Sequence, residues 1–243
     1  MPAAAPSKAA PKVKEDKSKS KEDKSKVHKL SLKGSSKLCV EFFEFAANTI
    51  LFQRGVYPPE DFAPVKKYGL NMMVSLDDQV KAYVKKIMSQ LNKWIQKSKI
   101  SKLVIVITSK ETGEHLERWQ FDVNVFNEDS KSKRKTSSKD QENTAPESEA
   151  DAATPTAEKS EAEIQQEIQS LFRQITASVT FLPMLDGNCT FNVLVYADAD
   201  SDVPLEWGDS DAKEVKNAEK VMLRSFSTNS HRIDTLVSYR LGE

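Results

Sequence analysis

Arg173, Gln174, Ala177 and Phe181 are the residues whose types and spacing best suit a chemical task, and that task is recognition. On a helix turning about 100° per residue they fall on one arc, away from an apolar arc made by Ile164, Ile168, Leu171, Phe172, Ile175, Val179 and Leu182. Aromatic residues and arginine are enriched where proteins meet. A solvated face with one stray phenylalanine fits the same spacing, so the pattern alone leaves both readings open. Catalysis has less to work with. His28, His115 and His231 fall in the tail, a turn and a late hairpin, and none has metal-ligand spacing to a cysteine or a second histidine. No GxSxG, Walker, GxGxxG or CxxC pattern occurs. Glu117 and Asp122, with Arg118 between them, read as a solvated strand edge. Cys39 and Cys189 each sit in an apolar stretch and read as buried thiols in a reducing compartment. The sequence therefore points to a protein that is not an enzyme and needs no metal or cofactor.

The recognition arc must be carried by a helix. Ser160 and Glu163 have the spacing of a capping box, and Pro183 ends the segment. The tail of that segment, ITASVTFL, is rich in β-branched residues, but the 3.6-residue period outweighs that strand propensity. Upstream, Ser35 or Ser36 can cap a helix running to Arg54, with Gly55 beyond its end. Its apolar positions are so many that it should be buried on most sides. Leu30 and Leu32 before it alternate with polar residues, a short strand signal. Residues 62–75 carry short extended pieces. A second helix opens at Ser75 and runs through Val80, Tyr83, Val84, Ile87, Met88, Leu91, Trp94 and Ile95, read as core filling. LVIVIT at 103–108 reads as a strand buried on both faces, and Trp119, Phe121, Val123 and Val125 as a strand with one wet face.

Later, Cys189–Tyr196 is a strand with Phe191, Val193 and Val195 on one face. An acidic loop with isolated apolar points at Val203, Leu205 and Trp207 leads to two strands, 221–228 and 231–241, turning at Asn229 and Ser230. The end of the chain thus reads as a large segment hanging from a compact core. Residues 1–29 and 127–160 hold too little apolar surface to fold, and read as a lysine-rich disordered tail and a disordered insert. The KSKRK run at 131–135 fits a nuclear-localisation patch or a plain solvated charge run. Lysine plus arginine equals aspartate plus glutamate at 36 each, so net charge gives no reason to expect nucleic acid or an anionic membrane. No secretory signal or membrane-length apolar run is visible, which suggests a cytosolic or nuclear protein.

Several long strings resemble the spindle-checkpoint HORMA proteins of the mitotic-arrest-deficient group. They are SLKGSSKLCVEFFEFAANTILFQRGVYPPEDF, VKKYGL, LVIVI, ETGEHLERWQFDV, EIQSLFRQITASVTFLPML and LRSFST followed by YRL. The likeness covers most of 30–126 and 161–243; the tail and the insert depart from it. It implies an α+β HORMA domain over 30–243, three helices on a small antiparallel sheet with a mobile C-terminal safety belt at about 200–243. It implies open and closed states, a partner peptide added beside Phe191, Val193 and Val195, and a belt that wraps it through Trp207, Val221, Leu223, Phe226, Val237 and Tyr239. Arg173 and Gln174 fall on the family's dimer surface, with Ala177 and Phe181 adjoining.

The implied partners are a kinetochore coiled-coil receptor, the activator subunit of the anaphase-promoting complex and a checkpoint kinase-like scaffold. A HORMA-like silencing adaptor, an AAA+ remodelling ATPase and a second copy of the chain complete the set. Anaphase would be delayed by clasping the activator, at kinetochores, in the nucleus and in the cytoplasm. The alternative is a HORMA adaptor for a translesion polymerase or a meiotic axis, against which RGVYPPEDF and ERWQFDV weigh. Thr235 lies on the last strand, where an added phosphate would oppose burial.

Overall fold

The computed structural model describes residues 31–126 and 159–241. The tail lies outside those residues, as does the insert except for Lys159 and Ser160. Helix α1, Leu32–Gln53, is the middle of the molecule. Cys39, Phe42, Phe43, Ala46, Ala47, Ile50 and Leu51 are fully buried, because sheet, α2 (Asp78–Gln96) and α3 (Glu161–Ala177) surround it. Phe42 is the hub. Its ring meets Phe121 at 5.7 Å, Phe172 at 5.2 Å and Phe226 at 4.8 Å, so one side chain joins α1 to α3 and to two strands of the sheet. Each such pair is worth about 0.5–1.5 kcal/mol beyond the area it buries.

Strands β1 (Phe62–Lys67) and β2 (Leu70–Ser75) form a separate hairpin. The main sheet is antiparallel and has six strands: β3 (Ile100–Ser109), β4 (His115–Val125), β5 (Cys189–Ala197), β6 (Glu219–Met222), β7 (Phe226–Ser227) and β8 (His231–Tyr239). Its order is β5-β3-β4-β8-β6, with β7 also on the outer side of β8. Leu103, Ile105, Ile107, Trp119, Phe121 and Val123 face the helices, while Val104, Val106 and Arg118 alternate onto the other face. The α+β architecture of three helices on an antiparallel sheet is the expected one.

Several local expectations are corrected. Ser31 caps α1, and Ser35 and Ser36 are buried inside its first turns; Ser36 Oγ donates to the Leu32 carbonyl instead. Leu32 is therefore helical rather than in a strand. Asp77, not Ser75, caps α2 by accepting from the Gln79 and Val80 amides. The capping box of Ser160 and Glu163 is present, but α3 stops at Ala177 and tightens into a 3₁₀ turn over Ser178–Thr180. Three residues per turn shift the phase, so Ser178 is buried and Val179 is exposed. The strand expected over 221–228 breaks at Leu223–Ser225 into β6 and β7. Nor does the C-terminal part hang from the core, since β8 lies inside the sheet, paired with β4 from Glu117↔Tyr239 to Val125↔His231.

At one pole of the sheet the residues on either side of the insert meet the turn between β7 and β8. The Phe126 amide donates to the Ser230 carbonyl at 2.8 Å, and the Lys159 amide to Asn229 Oδ1 at 3.2 Å. Both edges of the insert are thus fastened to the turn between β7 and β8.

Candidate functional site: an open sheet edge under a strap

Strand β5 pairs with β3 alone, through Ser109↔Cys189 to Ile100↔Ala197, so its other side is an edge of the sheet. Phe191 and Val193 are buried on the helix side and Val195 is half-buried. Two tyrosines wall this face: Tyr83 of α2 with its ring 5.5 Å from Phe191, and Tyr57 at 6.2 Å. Tyr83 is 40 % exposed, so it lines the edge rather than filling the core. Burial pushes both phenols above their ordinary range, which keeps them neutral hydrogen-bonding groups. An edge strand presents unpaired amides and carbonyls to any extended segment laid beside it.

Residues 198–218 leave β5 and form a strap around that edge. On the helix side the strap is held to α2 and the loop after it. The Asp198 amide donates to the Lys99 carbonyl, Lys99 Nζ reaches Asp200 at 2.6 Å, and the Trp94 indole donates to the Asp202 carbonyl at 3.1 Å. Lys86 pairs with Glu206 at 2.8 Å, and the Trp207 ring meets Trp94 edge-on at 5.0 Å. The next anchor is on the opposite face. Arg118 Nε donates to the Ala212 carbonyl at 3.2 Å, and its guanidinium lies 3.6 Å from Glu214. A chain cannot cross a sheet, so between Trp207 and Ala212 the strap passes round the outside of β5. It then continues to β6, on the far flank of β8. The exposed Lys99–Asp200 pair holds the carboxyl below and the ammonium above their usual ranges, mainly through the shared hydrogen bond.

Two sequence readings change here. Trp94 is core and strap anchor at once. Arg118 and Glu117 are no solvated edge: β4 is an inner strand and both are buried. Glu117 pairs with Arg54 at 2.6 Å and accepts from the Trp119 indole; burial pushes its carboxyl up, against the pull of Arg54. Arg54 also donates to the Pro183 carbonyl. Asp122 is half-buried beside Lys102. Burial pushes the Cys39 thiol up to about 12 and raises Cys189 too, which leaves neither poised as a nucleophile.

The expected belt residues are mostly core. Leu223, Phe226, Val237 and Tyr239 are buried and Val221 is half-buried; only Trp207 belongs to the strap itself. The recognition arc lies on a separate surface. Arg173, Ala177 and Phe181 are exposed. Gln174 is half-buried because its Oε1 accepts from the Arg224 amide at 2.6 Å, and the Phe181 ring lies 5.9 Å from Tyr239. Two of the four residues therefore touch the C-terminal segment. Tyr57, Tyr83, Lys86 and Arg118 are site residues that the sequence pattern did not single out. In sequence Arg118 is one of several polar residues of β4, beside Glu117, Gln120, Asp122 and Asn124, and nothing local sets it apart. Among the described residues, no three His, Cys, Asp or Glu side chains converge as a metal site. No helix among them is long and apolar enough to cross a membrane.

This arrangement, helices on an antiparallel sheet with a C-terminal strap over one edge, is matched by a known family. A sequence model of the HORMA domain matches residues 35–231, and the chain belongs to that family. Among its relatives, the "Mitotic spindle checkpoint component mad2" of Schizosaccharomyces pombe is 54 % identical over 212 residues, covering 87 % of this chain and 95 % of the relative. The "Mitotic spindle assembly checkpoint protein MAD2A" of Homo sapiens is 42 % identical over 212 residues, covering 87 % and 93 %. A chain in a solved structure of the mitotic checkpoint complex is 52 % identical with a TM-score of 0.70, and the match covers 86 % of this chain and 99 % of that one.

Proposed function

We infer that this protein serves the mitotic spindle checkpoint by clasping an extended peptide. The peptide adds to the edge of β5 as a further strand and lies under the strap of residues 198–218. One observation carries the reading: the strap is anchored to α2 before the edge and to Arg118 on the opposite face after it. A strand added there would be enclosed by chain on all sides, so main-chain pairing supplies affinity and enclosure supplies residence time. Escape requires the strap or β8 to come away, which makes release slow.

The peptide comes from the activator subunit of the anaphase-promoting complex or from the kinetochore coiled-coil receptor. The arrangement with β8 beside β4 is the closed state; in the open state the C-terminal segment takes another position. Arg173, Gln174, Ala177 and Phe181 receive a second copy or the silencing adaptor. Because Gln174 and Phe181 touch the C-terminal segment, that surface is complete only when the segment is seated. The kinase-like scaffold acts beside this protein, and the AAA+ ATPase returns it to the open state. The close likeness to checkpoint components weighs against the polymerase and meiotic roles.

Removing everything after residue 200 would strip β8 from the sheet, so the decisive experiment cuts only the strap. A protease site is inserted between Asp209 and Ser210, both exposed. A fluorescent peptide from the receptor's HORMA-binding segment is bound, and the strap is then cleaved. Dissociation at least a hundredfold faster after cleavage, with β8 amides still protected from exchange, is the expected result. An unchanged dissociation rate would mean an ordinary groove and would sink the clasp.

A further inference from the structure

The tip of the β1–β2 hairpin is wedged between two helices. Lys67 faces Leu70 across the turn, and the two residues between them, Tyr68 and Gly69, both have positive φ, 51° and 67°. That is the geometry of a tight two-residue hairpin turn, in which Asn-Gly is the usual pair and an aromatic residue is uncommon. Tyr68 is also buried, at 7 % exposed. Its ring stacks on Phe172 of α3 at 5.5 Å and meets Phe45 of α1 edge-on at 6.0 Å. Its hydroxyl donates to Glu41 Oε1 at 2.7 Å, and Lys67 Nζ reaches the same carboxyl at 2.8 Å. From α3, Gln169 Nε2 donates to the Tyr68 carbonyl at 2.9 Å. Gly69 completes the seat, since a Cβ there would lie 2.8 Å from that same Nε2.

At about 100° per residue, Gln169 and Glu167 fall roughly 160° apart on α3, one on each flank of the recognition arc. The Glu167 flank is held by the C-terminal segment. Glu167 Oε2 accepts from the Ser227 amide at 3.0 Å, and Gln174 Oε1 from the Arg224 amide. The Gln169 flank is held by the hairpin, through Glu41, Phe45, Tyr68 and Phe172, all of which precede the strap. Arg173 stands one turn beyond Gln169 on the same row and directly follows Phe172. A bulky side chain kept in a sparsely populated backbone region points to a function at that place. Here the strained turn carries the ring that reaches α3.

We propose that Tyr68 and Gln169 are a positioning pair for the recognition surface, a proposal that rests on α3 being the recognition helix. The hairpin tip sets where α3 sits on α1, and so where Arg173 is presented. This grip does not pass through the C-terminal segment, so it holds with that segment seated or away. Gln174 and Phe181 answer to the C-terminal segment; Arg173 and Ala177 answer to the hairpin.

The test compares Tyr68→Asn, Tyr68→Phe and Gln169→Ala with the parent, on the full chain without ligand. Asparagine suits the turn but removes the ring; phenylalanine keeps the ring and loses the bond to Glu41. Self-association is measured by sedimentation, and amide hydrogen exchange is followed in α3, β3 and β4. Tyr68→Asn should weaken self-association about tenfold, the loss expected from an aromatic stack with its buried area. Protection should fall in α3 past Gln169, with β3 and β4 unchanged. Gln169→Ala should do the same more weakly, and Tyr68→Phe should match the parent in both readouts. On an Arg173→Ala background, Tyr68→Asn should weaken association little further, because it acts through Arg173. Equal weakening on both backgrounds overturns the proposal. So does unchanged α3 protection, or a loss spread evenly over α3, β3 and β4. If Arg173→Ala by itself leaves self-association as in the parent, the recognition reading fails, and the exchange pattern alone decides the positioning pair. If Tyr68→Asn does not fold, Gln169→Ala, a good helix former at a half-buried position, is judged by the same criteria.

Discussion

Strands β5 and β8 flank the same hairpin, both antiparallel and both nine residues long, yet they are built in opposite ways. The inward face of β5 is Cys189, Phe191 and Val193, buried without a polar side chain among them, and its outer edge is open. The outer side of β8 is covered by β6 and β7, yet it carries His231 and Thr235 into the interior, while Ser238 is buried on the opposite face beside Arg118. Two of its buried polar atoms, His231 Nε2 and Thr235 Oγ1, have no hydrogen-bond partner among the described residues. Such groups cost about 1–3 kcal/mol each. Apolar burial holds β5 without conditions; β8 is held by a long ladder and a few directional bonds that must offset its own polar cargo. The better-covered flank is the one that costs more to keep in place, as suits a strand that has to be able to leave.

The largest way to break this contrast is Thr235→Asp. An unpaired carboxylate at a fully buried position is expected to cost about 3–5 kcal/mol. Exchange should show β8 unseated while β3–β5 pairing persists, and a variant that seats β8 normally would overturn the contrast. Next is Phe226→Ala, which removes a buried ring from the Phe42 hub and should cost about 3–5 kcal/mol. In denaturant titrations followed by exchange, the β7–β8 hairpin should open first, before β5. Thr235→Val sharpens the contrast from the other side. Replacing the partnerless hydroxyl with a methyl should stabilise the protein by about 1–2 kcal/mol, seen as a higher denaturant midpoint.

The smallest effect is that of pH. Burial holds the His231 imidazole below its ordinary value. The unfolded chain therefore takes up this proton first. The contribution is complete above about pH 6.5 and declines as pH falls from there to the lowered folded value, at no more than about 1.4 kcal/mol per pH unit. His231→Asn should flatten that part of the stability profile, and an unaltered profile would assign it to another group.

Much of the frame was legible because it is periodic. The apolar stripe of α2, the capping box of α3 and the runs of β3 and β5 follow from spacing within one element. The ends of elements were harder. A serine can cap a helix or bond back inside it, and Ser31, Ser35 and Ser36 look alike until the core decides which are buried. Hardest was anything fixed by a distant partner. Nothing local announces that Arg118 will be covered by a chain ninety-odd residues away, or that Asp122 will face Asp234 across a ladder. The same applies to the recognition arc: its helix face was readable, but the use of Gln174 by the Arg224 amide was not.

The turn at Asn229 and Ser230 receives both edges of the insert. The chain between Phe126 and Lys159 therefore starts and finishes at nearly one point, held there by a turn it does not build. Closing a loop between fixed points costs only about 0.6 kcal/mol more for each doubling of its length. Sequence can be gained or shed there at little thermodynamic consequence to the fold. The strap has no such latitude: its anchors stand on opposite faces of the sheet, and shortening it would pull one of them loose. Of the two long connections in this chain, one is a place where a lineage can experiment, and the other keeps a fixed span.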